Sequence, residues 1–417
     1  MDPGDIRLIY LIFFFLELGW GTFLSLLNIA QIHKNREKTP EWLAGLVEED
    51  TYKRAVRYNL ERCRFSLVSD VFSSFAILSL VFSGALGSLD ALLRGLGLSA
   101  YPAGILFIFA VSLIFYFLSL PFSLYSHFVV EERHGFNKMT PALFAKDAVK
   151  GLALSALVSA PLLLALFWFM DTAGRLWWII AFAFTAAFQL FISLVYPLVI
   201  APLFNKFAPL AEGSLKEKIS ALAQKLSFGV KGIFVMDGSR RSHHSNAYFT
   251  GLGRAKRVVL FDTLLASLSE GEILAVLAHE IGHEKKKHLY KRLAASCALL
   301  FAAFGIVNIL YRWEPLFAAF GFSAVSCQGI FVILGFCSGP FTFFLTPLFT
   351  AASRRHEYQA DRYAGAAGFA RELESALLRL GKDNLANLTP HPLYSFYHYS
   401  HPTLAERIAA LRKAVVP

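Results

Sequence analysis

Seven stretches of this chain are long and apolar enough to cross a bilayer, and they decide most of what it can become. They occupy residues 8–30, 65–86, 101–130, 152–170, 177–204, 293–311 and 325–349, close to or above the about 20 residues a helix needs to span the hydrocarbon layer. Inside lipid every backbone N–H and C=O must be satisfied within its own segment, so each run is expected to be a helix. The third and fifth exceed a single crossing and should tilt or continue beyond the lipid. Composition agrees: 56% of the 417 residues are apolar, only 17% are charged and mean hydropathy is +0.50, whereas soluble domains carry about 25% charge.

Charge sits between the runs and orders them. Lys34, Arg36, Lys38, Lys53, Arg54, Arg57, Arg62 and Arg64 follow the first; Arg133, Lys138, Lys146 and Lys150 follow the third. A basic polar region, residues 205–292, follows the fifth, and a basic tail the seventh. The alternate loops hold one basic residue each, Arg94, Arg175 and Arg312. Lys and Arg are retained in the cytoplasm, so the N-terminus is expected outside and the C-terminus inside. The net charge of +10 then belongs to topology and anionic headgroups, and no nucleic-acid partner is expected. Cys63, Cys297, Cys327 and Cys337 show no C-x-x-C spacing, hence no disulfide framework or thiolate site. The first run follows Asp2, Asp5 and Arg7 without a cleavage site, and reads as a retained span rather than a signal peptide.

The expected organisation is a five-span membrane region (1–204), a polar catalytic region (205–292), spans six and seven (293–350) and a C-terminal catalytic part (351–417). Within the polar region, 214–226 has helical spacing, 232–236 and 257–261 read as strands, and 246–250 as a third. Residues 238–245 (GSRRSHHS) read as a loop. Ser269 followed by Glu272 is a capping box that should open a helix over about 270–290.

That helix contains His279-Glu280-Ile281-Gly282-His283, an H-E-x-x-H motif. Residues four apart share a helix face, so both imidazoles can hold one zinc ion while Glu280 takes a proton from metal-activated water and returns it to the leaving amine. The surrounding EILAVLAHEIGH is mostly apolar and would bury these polar groups, which is costly without a metal. Glu357, just after the seventh run, is the preferred third ligand. Asp361, one turn on, can accept the free N–H of a ligand histidine. His356 is the alternative, about 100° around the helix from Glu357 and without such a partner.

Further pieces accompany the zinc motif: EERHGFNK (131–138), APLFNKFAPL (201–210), SNAYFTG (245–251), SRRHEYQAD (353–361) and HPTLAER (401–407). In that order, among seven spans, they make the chain resemble the CAAX prenyl protease type 1 family, integral-membrane gluzincins that mature prenylated mating pheromone and prelamin A. Related membrane heat-shock metalloproteases share the zinc motif but have fewer spans. The resemblance implies that Asn246 positions substrate, and that His401 and Arg407 approach the substrate or the developing oxyanion, which needs a donor and a fixed cation. It also implies an enclosed intramembrane chamber and cleavage after a prenylated C-terminal cysteine; a prokaryotic enzyme of membrane-protein quality control fits the residues equally. Without these roles, Asn246 is a turn residue and Arg407 lies on the solvated face of a helix begun at Pro402.

Glu17 and Asp70 lie within spans and should face protein or a water-filled cavity. His243, His244, His288, His391 and His398 lack partner spacing and read as surface or packing residues, and Lys285 to Lys287 as a helix end in the headgroup zone. The sequence therefore points to a mainly α fold: a polytopic membrane protein with seven transmembrane helices and a cytoplasmic α+β zincin-type metalloprotease domain. It should be an endopeptidase with one zinc ion, acting on peptide or protein substrates that are prenylated or membrane-associated, with membrane lipid as its other partner. Its membrane would be the plasma membrane in a prokaryote and the endoplasmic reticulum in a eukaryote. The competing class, a non-proteolytic metal transporter or zinc-sensing membrane protein, predicts mid-membrane ligands and has no use for Glu280. A site-2-type protease would place the motif within a span, but Glu-Lys-Lys-Lys-His follows it here (284–288).

Overall fold

A computed structural model describes residues 1–250 and 256–415; Gly251 of the SNAYFTG piece and the last two residues of the tail lie outside them. Among the described residues, seven helices are long and apolar enough to cross a membrane: Pro3–Lys34, Glu49–Phe82, Ala100–Glu131, Pro141–Thr172, Gly174–Phe204, His288–Leu310 and a run over Cys327–Asp383. Their starts are locally encoded. Asp2 and Asp5 form a capping box around Pro3, Thr140 caps a helix begun by Pro141, and the Ser326 hydroxyl accepts from the Gly329 amide.

Five of the seven are 31 to 34 residues long. At about 1.5 Å per residue they reach about 48 Å, well past the about 30 Å hydrocarbon layer, so overlong spans are the rule and not confined to the third and fifth. Hydropathy registers only the apolar part, while the helices continue into polar flanks. The exposed side chains of the middle portions, such as Phe75, Leu157 and Leu299, suit lipid rather than water.

Three boundaries differ from expectation. The second span ends at Phe82, because Gly84 at φ +77° turns the chain into a separate helix, Ala85–Arg94. The seventh is interrupted by a 3-10 turn at Phe343–Leu345, between Pro340 and Pro347, before the helix Thr346–Ala364 that bears Glu357. The motif helix, Glu270–Lys285, stops five residues early: Lys287 adopts left-handed φ +57°, and His288 opens span six.

The polar region builds a four-stranded sheet of β1 (Phe207–Pro209), β2 (Gly232–Met236), β3 (Ala247–Thr250) and β4 (Arg257–Phe261), in the order β1-β2-β4-β3. β2 and β4 are parallel and the outer pairs antiparallel. β3 is therefore an edge strand, paired on one side among the described residues. Ile233, Val258 and Leu260 from the sheet pack with Ile219 of helix Ser214–Lys225, Leu277 and Ala278 of the motif helix, and Leu373 of helix Ala370–Asp383. A second core, including Tyr10, Phe107, Leu166 and Phe320, lies among the spans.

The motif helix crosses helix Thr346–Ala364 at Gly282. A Cβ there would stand 3.0 Å from Tyr363 Cβ and 3.1 Å from the Cα and O of Ala360, atoms that cannot swing aside. Gly282→Ala should therefore cost about 1–3 kcal/mol by overpacking and push apart the helices that bear His279, His283 and Glu357. The check is a lower detergent-phase Tm together with weaker metal retention, read from unfolding scans and metal analysis of the purified variant.

Candidate active site and metal centre

The start of the motif helix is pinned from two directions. Glu272 accepts from the Ser269 amide at 2.8 Å and returns the cap through its own amide, and its other oxygen accepts from the Ser375 hydroxyl at 2.6 Å. Two turns further on, His279 and His283 face each other, their Nε2 atoms 3.1 Å apart. Glu357 closes the triangle, with Oε1 3.2 Å from His283 Nε2 and Oε2 3.5 Å from His279 Nε2.

These separations match a metal site. Ligand atoms about 2.0–2.2 Å from a tetrahedral ion stand about 3.4 Å from one another, and two imidazoles with a carboxylate are a donor set suited to zinc, with a fourth position left over. An orphaned atom supports the fit: Glu357 Oε2 is buried and, among the described residues, receives no well-directed hydrogen bond. His401 Nδ1 lies 2.8 Å away, off the direction a hydrogen bond requires. The charges agree. Burial alone would lower the pKa of His279, but hydrogen bonds to Asp361 and Glu357 raise it to about 9. Burial alone would raise Glu357, yet its contacts with His279, His283 and His401 hold it far below the usual carboxylate range. The pocket wants positive charge at its centre, which a divalent ion supplies.

A second layer aims both imidazoles. Asp361 Oδ1 stands 2.8 Å from His279 Nδ1, leaving Nε2 free to coordinate. Arg407 grips Asp361 with two donors, Nε to Oδ2 at 2.9 Å and Nη2 to Oδ1 at 2.6 Å, and Nη1 is 3.8 Å from Glu357 Oε2. With its side chain only 12% exposed, Arg407 is not on a solvated helix face. Burial would raise the Asp361 pKa, but His279 and Arg407 keep it low and the group ionised.

His283 is aimed by a residue that sequence reading left as surface or packing. His288 is fully buried; its Nδ1 is 3.0 Å from His283 Nδ1 and its Nε2 is 2.9 Å from Gln359 Oε1. If Gln359 accepts from His288 Nε2–H, as the network assigns it, then His288 Nδ1 accepts from His283 Nδ1–H and His283 Nε2 keeps its lone pair. Five residues along an unbroken helix lie about 140° apart, which hides this pairing; the break at Lys287 creates it. His356, the alternative ligand, stacks on His288 with centroids 4.0 Å apart and stands outside the cluster.

The remaining candidates are placed as follows. Glu280 is half-buried beside His279, its charge felt by Arg407. Asn246 is exposed immediately before edge strand β3, its Oδ1 accepting from the Ala247 amide at 2.8 Å. His401 is 63% exposed and reaches Glu357 rather than a position across from the metal ligands. Of the other histidines, His244 stacks on Phe136 and His391 caps helix Pro392–His398. Glu17 and Asp70 line one cavity of about 360 Å³ between spans one, two and seven, with His398 at its wall.

His288→Ala leaves His283 without its aiming partner. Loss of such an outer-shell partner typically weakens metal affinity about 10- to 100-fold, and competition of the purified variant against a metal-sensitive dye measures it.

Known proteins share this architecture. The model described as "CAAX prenyl protease N-terminal, five membrane helices" matches residues 28–206, and that of peptidase family M48 matches residues 209–415. CAAX prenyl protease 1 of Saccharomyces cerevisiae is 38% identical, covering 94% of this chain and 92% of its own length. The Homo sapiens CAAX prenyl protease 1 homolog is 35% identical over the same shares. The crystal structure of S. mikatae Ste24p superposes with a TM-score of 0.92 at 33% identity, over 97% of this chain and 99% of that one. The chain thus belongs to the CAAX prenyl protease 1 group of peptidase family M48, as a multi-pass membrane metalloendopeptidase.

Proposed function

We propose that the protein is a zinc endopeptidase that removes the C-terminal residues of peptides whose cysteine carries a prenyl group, working from the cytoplasmic face of its membrane. The observation carrying this reading is the triangle of His279, His283 and Glu357, with Glu280 beside it. The substrate class is taken from the relatives, which are named for it.

When bound, zinc would supply Lewis acidity, lowering the pKa of water and polarising the scissile carbonyl. Glu280 takes the proton of the attacking water and delivers it to the leaving amine. Arg407, held by Asp361, supplies a fixed cation, and the exposed imidazole of His401 a donor free to turn toward the carbonyl oxygen as negative charge develops on it. The open side of β3, with Asn246 at its start, offers backbone groups to an extended substrate as an added strand, which selects for backbone more than for side chains.

Orientation follows from charge: the loops and tail at the site end of the spans hold most of the basic residues, which favours the cytoplasmic side. The membrane would be the endoplasmic reticulum in a eukaryote and the plasma membrane in a prokaryote.

Glu280→Gln should keep zinc and lose about 10²–10⁴ or more in turnover, since the ligands remain while the proton acceptor goes. Glu357→Ala should lose the metal itself. Zinc content by elemental analysis and cleavage of a farnesylated C-terminal peptide and its unprenylated twin, in detergent micelles, separate the two. A normal zinc content in Glu357→Ala would overturn the ligand assignment, and equal cleavage of the twins would remove prenyl selectivity.

A further inference from the structure

Arg62 was counted above with the basic loop residues, yet it lines a cavity of about 240 Å³ inside the protein, between spans one and two and the segments 384–387 and 394–399. Arg62 is exposed and contributes to the wall of that cavity. It is the one charged residue among those lining it, and among the described residues it makes no ion pair. Its guanidinium carbon sits 5.5 Å from the ring centre of Tyr58. Glu131, whose charge reaches Arg62, is already engaged: Oε1 accepts from Tyr58 OH at 2.7 Å and Oε2 faces His244 Nε2 at 3.4 Å. The phenols of Tyr394 and Tyr399, ring centres 6.0 Å apart, share the wall.

The cavity adjoins the catalytic elements on two sides. Asn384, in its wall, accepts from the Ser245 amide at 3.2 Å, one residue before Asn246. The Tyr399 carbonyl accepts from Arg354 at 2.7 Å, on the helix that carries Glu357, and two residues later His401 reaches Glu357. Two residues of backbone span at most about 7 Å, and three residues of extended peptide about 10 Å.

A guanidinium with no ion pair within 4 Å among the described residues, flanked by phenolic donors in a pocket smaller than the about 300 Å³ at which drug-sized sites begin, suits a small acceptor-only anion. We infer that this cavity receives the free C-terminal carboxylate of the substrate, with Arg62 as its counter-ion, so that the pocket measures the distance from chain end to scissile bond. This rests on the C-terminal processing proposed above and names the residue that would recognise the end.

The test compares farnesylated peptides ending in a free acid or an amide, cleaved by the full-length protein and by Arg62→Gln and Arg62→Lys. Wild type should prefer the acid about tenfold or more in kcat/KM, as a charge-assisted contact implies. Arg62→Gln should collapse that ratio toward one, and Arg62→Lys should restore part of it. A merely structural arginine would lower both peptides together and leave the ratio intact, which overturns the inference. Binding of an acid or amide tripeptide to the Glu280→Gln protein, by calorimetry, reads the same preference without turnover; equal binding, or none by either, also overturns it. Cleavage indifferent to the farnesyl group but selective for the acid would remove the prenyl reading and leave this one standing. Farnesyl-dependent cleavage that treats acid and amide alike would do the reverse.

Discussion

The carboxylate of Glu357 lies between two imidazoles in a buried pocket, and that unfavourable meeting governs the architecture around it. Charged and polar groups resist burial unless compensated. Here compensation is layered: Asp361 holds His279, Arg407 holds Asp361 with two donors, and His288 with Gln359 holds His283. The layers draw on several separate parts of the chain, so the site exists only once the motif helix, the continuation of span seven and the C-terminal helix Leu404–Val415 have packed together. The close approach at Gly282 is the mechanical condition for this, because it sets how near the two ligand helices can come.

On the proposed reading, length mismatch between helices and lipid accounts for a site at the bilayer boundary. Helices of about 48 Å in a layer of about 30 Å must project, and their projecting turns carry polar side chains. Glu357 sits on such a projection, beyond the 3-10 turn at Phe343–Leu345, and His283 lies just before the start of span six. A membrane protein can thereby hold ionised ligands at the bilayer boundary without placing them in hydrocarbon. The cavity holding Glu17 and Asp70 provides for the two acids that do lie deeper.

The parts legible in the sequence were those with a local signal. Apolar runs marked the spans, the Ser269–Glu272 box marked the start of the motif helix, and the four-residue spacing of His279 and His283 marked a shared face. Glu357 with Asp361 could be proposed because their own spacing made a ligand and its support. What failed was non-local or conformational. The end of the motif helix was overrun because a left-handed lysine, Lys287, has no compositional signature, and His288 was passed over because its partnership exists only after that break. The second span was overrun at Gly84 for a similar reason, since a positive φ glycine within a run of apolar residues does not lower hydropathy. Arg62 was assigned by its neighbours in sequence, whereas its surroundings in space are a cavity wall.

Lys287 joins two separately packed bodies. The motif helix before it packs on the sheet of the polar region, while the helix it opens, His288–Leu310, packs through Phe304 and Val307 into the core among the spans. Because the first residue of that spanning helix stands within hydrogen-bond distance of His283 in the proposed metal site, packing among the spans bears directly on how firmly His283 is aimed.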